Sequence, residues 1–199
     1  MRVAMSYLPK IAKSDSVGVV SGILYAKGHT SAELSSALRD NAADFTFVYN
    51  NEGSVRFDTT EDFPAGKAFD WYDWDFVVIN AASESSEYIE ELCSFVKQYS
   101  PETKIAINGI SQNELSYHLA DIVFSVDDIS AGFRKEMAEQ NSGADINSGR
   151  ISDFLCACVI YEMLTNNNIA KNKYRLPFVE SEITEIIKNV VHKSCIKDR

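Results

Sequence analysis

A loop reading Ala26-Lys27-Gly28-His29-Thr30-Ser31 stands before a helical segment, and its residue types suit an anion. Backbone N–H groups at the helix start, the hydroxyls of Thr30 and Ser31 and the Lys27 ammonium would converge on a phosphate. His29 adds a side chain of the kind that changes charge near neutrality. A second set follows three short apolar runs, Phe76-Val77-Val78-Ile79, Lys104-Ile105-Ala106-Ile107 and Asp121-Ile122-Val123-Phe124-Ser125-Val126. It comprises Asn80, Ser83, Asn108, Ser111, Asp127 and Asp128. Short polar side chains at strand ends can place a ligand, and they also cap helices. Third, both tryptophans fall within Phe69-Asp70-Trp71-Tyr72-Asp73-Trp74, just before the first apolar run. Exposed, Trp71 and Trp74 form an aromatic partner-binding patch; turned against the sheet's amino-terminal edge, they are core.

These groups depend on the elements that carry them. The three apolar runs, separated by segments of helical period, predict β-α-β-α-β-α over residues 74–140 and a buried parallel sheet. Ligands of such sheets bind at the carboxyl ends of the strands. The first crossover helix is expected over 86–99, a short helix over 112–119 and another over 129–140. Upstream, residues 2–8 alternate and end at Pro9, which fits a strand, and Val17–Tyr25 is a second candidate. Either 17–25 is a strand feeding a helix at 31–41, or 2–8 is the first parallel strand and part of 16–27 is helical. The β-branched Val17, Val19, Val20 and Ile23, with Gly18 and Gly22, favour the first. Phe45–Tyr49 reads as a strand, 50–53 as a turn, 54–58 as a hairpin return and 59–66 as loop. A linker over 141–149 precedes helices near 151–165 and 180–195. The last repeats Ile183, Ile186, Ile187, Val190 and Val191, a stripe for packing on the sheet or for a homodimer seam.

With 199 residues, 45% of them apolar, the chain is sized for one core. The expected division is a sheet domain over 1–140 and, packed on it, a linker with helices over 141–199. A net charge of −10 argues against tracking the phosphates of a nucleic acid. Four cysteines without a leading signal segment suggest reduced thiols and a cytoplasmic protein. Cys156 and Cys158 lie about 200° apart around a helix and cannot chelate one metal, so no metal site is expected. Phe154 to Leu164 contains Glu162 and falls short of the ~20 residues of a membrane span. His118 and His192 fall in helical segments and read as structural.

Over roughly residues 17–140 the element order, with Asp73–Ile79 and the Ser111 that follows Ile107, resembles the flavodoxin-like superfold of response-regulator receivers. A working receiver needs an acidic pair after its first strand, a phosphoaccepting Asp after the third and a Lys after the fifth. Here no acidic pair follows Tyr25, Asn80 stands near the acceptor position and Asp127-Asp128 near the Lys. Asn80 cannot form an acyl phosphate, so that resemblance implies a degenerate, partner-binding receiver. Ile23–Ser31 resembles the strand, phosphate loop and helix start of flavodoxins, and implies a flavin nucleotide. Met1–Ser6, Gly28-His29 and Asp75–Asn80 resemble the amino-terminal half of two-Rossmann-domain glycosyltransferases, and imply a nucleotide sugar.

The expectation is therefore an α/β fold, three-layered, with a mostly parallel central sheet and two additional carboxy-terminal helices. The leading function is a non-catalytic ligand- or partner-binding, regulatory module, because each enzyme family compared lacks an indispensable residue. The rival is an enzyme acting on a phosphate-bearing ligand: a nucleotide sugar, a mononucleotide or a flavin nucleotide. Lys27, Gly28, His29, Thr30 and Ser31 would hold its phosphate, with Asn80, Asn108, Ser111, Asp127 and Asp128 at the strand ends.

Overall fold

A computed structural model of the chain describes residues 5–26, 30–51, 54–81, 84–109, 120–139 and 149–197. Of the strand expected over 2–8, residues 2–4 lie outside the described residues and 5–8 are not extended; helix α1 (Leu8–Ser14) begins at the last of them. Pro9 lies in its first turn, where the missing N–H costs nothing, so the proline opens a helix instead of closing a strand. Strand β1 is shorter than the 17–25 candidate, covering Ser21–Tyr25. Helix α2 (Ser31–Arg39) starts at the N-cap Thr30.

Strand β2 (Phe45–Asn50) pairs antiparallel with β3 (Asp58–Phe63). The return strand thus runs through residues expected to be loop, with a bulge setting its register. Thr60 faces Phe47, yet Phe63 faces Phe45, so β3 spends one more residue than β2 over the same span. Asp62 takes up the extra residue with φ at 51°, a left-handed conformation that Asp tolerates better than most side chains. The shift turns Phe63 inward, where it stacks on Phe47 at 5.0 Å, and leaves Asp62 outside. Because a one-residue slip exchanges the faces of a strand, deletion of Asp62 should expel Phe63 from the core. The expected loss in urea-unfolding free energy is about 3–5 kcal/mol, the range of a Phe→Ala core truncation.

Helix α3 (Lys67–Trp71), β4 (Phe76–Asn80), α4 (Ser86–Tyr99), β5 (Lys104–Asn108) and β6 (Ile122–Phe124) follow. Strands β4, β5 and β6 are parallel in that order, as the apolar runs predict, and Asn80 is in register with Asn108. The other sheet has the order β1-β2-β3. Hydrogen bonding among the described residues therefore gives two three-stranded sheets, one of them parallel, in an α/β fold. Helices α5 (Val126–Glu139), α6 (Gly149–Thr165) and α7 (Ser181–Lys197) complete the chain, with a 3-10 turn at Ile169–Lys171.

Two compact units emerge. One holds residues 22–49 and 57–125; the other holds 1–21, 50–56 and 126–199. In the first, Ala37, Leu38, Phe45 and Phe95 form a core between α2, β2 and α4. In the second, α6 is apolar nearly all round and is accordingly buried from Phe154 to Met163. The α7 stripe of Ile183, Ile187, Val190 and Val191 is buried, and α7 packs on α6, α5 and the 3-10 turn. The partners of that helix are thus helices, where the stripe alone suggests a sheet.

Candidate functional site

At the start of α2, Thr30 caps the helix and Glu33 closes a capping box. Thr30 Oγ1 accepts from the Glu33 N–H at 3.3 Å, while Glu33 Oε2 accepts from the Thr30 N–H at 2.7 Å and its hydroxyl at 2.9 Å. A carboxylate of the chain itself thus occupies groups a phosphate would use. Lys27, Gly28 and His29 lie outside the described residues, as does the side chain of Ser31.

At the carboxyl ends of the parallel strands, Asn108 donates through Nδ2 to Asn80 Oδ1 at 2.9 Å. The register that aligns β4 with β5 brings these two predicted residues together. Ser83 and Ser111 lie outside the described residues. Asp127 and Asp128 belong to the other unit, exposed in the first turn of α5, where negative charge suits the helix dipole.

The two tryptophans differ. Trp74 is half-buried, packs on the Phe47, Phe63 and Ala68 cluster, and donates its indole N–H to Ala68 O at 2.7 Å. Close approach requires Gly22 there: a Cβ would stand 2.6 Å from the Phe47 ring and 3.3 Å from Trp74. Trp71 is 40% exposed. Its ring lies 4.7 Å from Tyr49, 5.8 Å from Phe47 and 6.0 Å from Phe63, so an aromatic floor fixes it while one side meets solvent. Asp58, paired with Tyr49 across the strands, is exposed, as are Glu61, Asp62, Asp70, Asp73 and Asp75.

That acidity is concentrated. The unit of residues 22–49 and 57–125 holds sixteen Asp and Glu against five Lys and Arg, a formal −11. The rest of the chain holds thirteen against fourteen, a formal +1, and the two give the net −10. The charge therefore belongs to the unit that carries Trp71.

Polar groups that sequence reasoning did not single out organise the second unit. Asn50, fully buried, accepts through Oδ1 from the Ser21 N–H at 2.8 Å and its hydroxyl at 2.6 Å. Its Nδ2 faces the carbonyls of Ser54, Asn51 and Val19 at 2.9, 3.1 and 3.2 Å. Glu162, also fully buried, accepts from the Ile169 N–H at 3.0 Å and lies 2.5 Å from His192 Nδ1. Lys188, 1% exposed, donates to Asn172 O at 2.6 Å and to Glu185 at 3.0 Å, and burial pushes its ammonium below the usual lysine range. The signal for Glu162 was legible as the one charge inside the apolar stretch Phe154–Leu164; nothing in the neighbourhood of Asn50 distinguishes it from a turn residue.

No family profile and no curated protein matches the chain. A solved structure does: a DUF4886 family protein from Bacteroides uniformis, with a TM-score of 0.67 over 97% of this chain and 90% of that one, at 14% identity. The likeness is one of fold. Among the described residues no helix is long and apolar enough to cross a membrane.

The four cysteines are free and buried. Burial pushes the thiols of Cys93 and Cys156 up to about 11, and that of Cys158 well above its usual value. Since only the thiolate attacks, the folded chain should resist iodoacetamide near neutral pH and take up four labels once denatured, read by mass spectrometry.

Proposed function

We propose that the chain is a non-catalytic, cytoplasmic binding module on a flavodoxin-like, three-layer plan, and that it captures a cationic protein segment on the surface around Trp71. The exposed Trp71 on its aromatic floor carries this reading. A large ring held by neighbouring rings offers apolar contact at little entropic cost, the trait of an interface anchor. Its face is also a cation–π acceptor for Lys or Arg. The acidic side chains of β3 and of the 70–75 segment add long-range attraction for positive charge, which steers encounter and sets salt dependence. The alternation of β1, α2, β2 and then β4, α4, β5, β6 supports the layered plan.

The phosphate-ligand alternative is less favoured by the contacts seen: Glu33 already engages the start of α2, and Asn80 and Asn108 engage one another. Titration with a Lys/Arg-rich peptide, followed by tryptophan fluorescence, tests the proposal; saturable quenching or enhancement is expected. A thermal-shift screen with flavin nucleotides, nucleotide sugars and mononucleotides is the counter-test. A rise in midpoint with one of these, and no response to the peptide, would replace the module by an enzyme.

A further inference from the structure

The turn that precedes α7 presents a bare aromatic ring. Leu176 is buried, whereas Phe178, two residues on, is 95% exposed, more than any other large hydrophobic side chain described. Its φ of 63° lies in the left-handed region, where a bulky residue is strained. Beside the ring stands the exposed Arg150, its guanidinium 5.7 Å from the ring centroid. A phenylalanine so placed contributes nothing to the core of its own unit.

The chain leading to this ring is basic. Between Glu162 and Glu180 the sequence holds Lys171, Lys173 and Arg175 and no acidic residue. All three are exposed. Arg175 pairs with Glu185, while Lys171, Lys173 and Arg150 have no ion-pair partner among the described residues.

Building on the reading of Trp71 as the anchor point for a cationic segment, we infer that this segment is residues 171–178 of a second copy of the chain. Phe178 of one copy seats on the Trp71 ring of the other, and Lys171, Lys173 and Arg150 meet the carboxylates around that ring. An aromatic anchor among free cations complements an aromatic acceptor rimmed by acids. The acceptor belongs to a unit of formal charge −11, and the 163–179 stretch carries +3. Charge also selects the geometry. Two Trp71 surfaces face to face would oppose acid to acid, and two Phe178 turns would oppose base to base, so the contact is head-to-tail. Each copy then brings one ring and one acceptor.

Sedimentation velocity of the full chain, over a range of concentrations at low and at high salt, tests the inference. The native chain should associate as concentration rises, and less so at high salt. F178A and W71A should each lose about tenfold or more in association constant while circular dichroism shows an unchanged fold. Mixing the two variants should restore a 1:1 complex, because W71A keeps the ring and F178A keeps the acceptor. A native chain that stays monomeric at low salt, an F178A chain that associates like the native one, or a mixture that forms no complex would overturn the inference. Peptide capture separates the two readings: a monomeric chain that still captures a Lys/Arg-rich peptide refutes the second copy alone, and a monomeric chain that captures none refutes the Trp71 surface as well.

Discussion

Replacing Asn50 by leucine is expected to cost about 3–5 kcal/mol of folding free energy, a large share of the roughly 5–15 kcal/mol that holds a domain together. The side chain is fully buried and serves both ends of a small network: Ser21 donates to it twice, and it answers the carbonyls of Val19, Asn51 and Ser54. Leucine fills the volume and answers none of them. Each buried group left without its partner costs about 1–3 kcal/mol, so two orphaned groups already reach the expected figure. Asn50→Asp is the informative companion, since it keeps the acceptor for Ser21 and loses the donors. Equilibrium urea unfolding should rank the native chain above N50D and N50D above N50L. Equal midpoints for the native chain and N50L would mean that the network contributes nothing.

Glu162→Ala should be comparably severe. The carboxylate, fully buried in the helical unit, is the only acceptor described for the Ile169 N–H and lies against Nδ1 of the half-buried His192. Removing one member of a buried, hydrogen-bonded polar pair typically costs about 3–5 kcal/mol, because the survivor keeps its desolvation penalty without its partner. Glu162→Gln retains an acceptor for one of the two donors and should lose less. Thermal denaturation followed by circular dichroism gives the comparison, with E162A well below E162Q. If His192→Ala in the E162A background brings no further loss, the two residues act as one unit.

How much of this was written in the sequence follows from the kind of signal each feature leaves. The parallel strands were legible because burial demands continuous apolar runs, and α4 because Tyr88, Ile89, Leu92, Cys93, Phe95 and Val96 recur at helical spacing before Pro101. Asn80 and Asn108 could be placed at strand ends because each ends such a run, while their pairing follows from the register of β4 with β5. Where proline or a turn had two local solutions, tertiary context decided: Pro9 suits a strand end and a helix start equally. The course of β3 was hidden because Asp58-Thr59-Thr60-Glu61-Asp62 has the composition of a loop. As the last strand of its sheet it needs only its backbone for pairing, and charged side chains there discourage further strands from adding. The Glu162–His192–Asn168 chain brings together residues thirty positions apart and the Tyr161–Asp15 bond spans 146, and no spacing rule reaches that far. The crowding of negative charge into one unit was likewise concealed, since that unit is assembled from two separate stretches of chain.

The most direct test of the binding reading is the affinity of a Lys/Arg-rich peptide for the native chain and for Trp71→Ala, measured by titration calorimetry at low and at high salt. The account predicts that W71A, folded by circular dichroism, loses about tenfold or more in affinity, and that binding to the native chain weakens as salt rises. Undiminished binding by W71A, or no binding by the native chain at low salt, would contradict it.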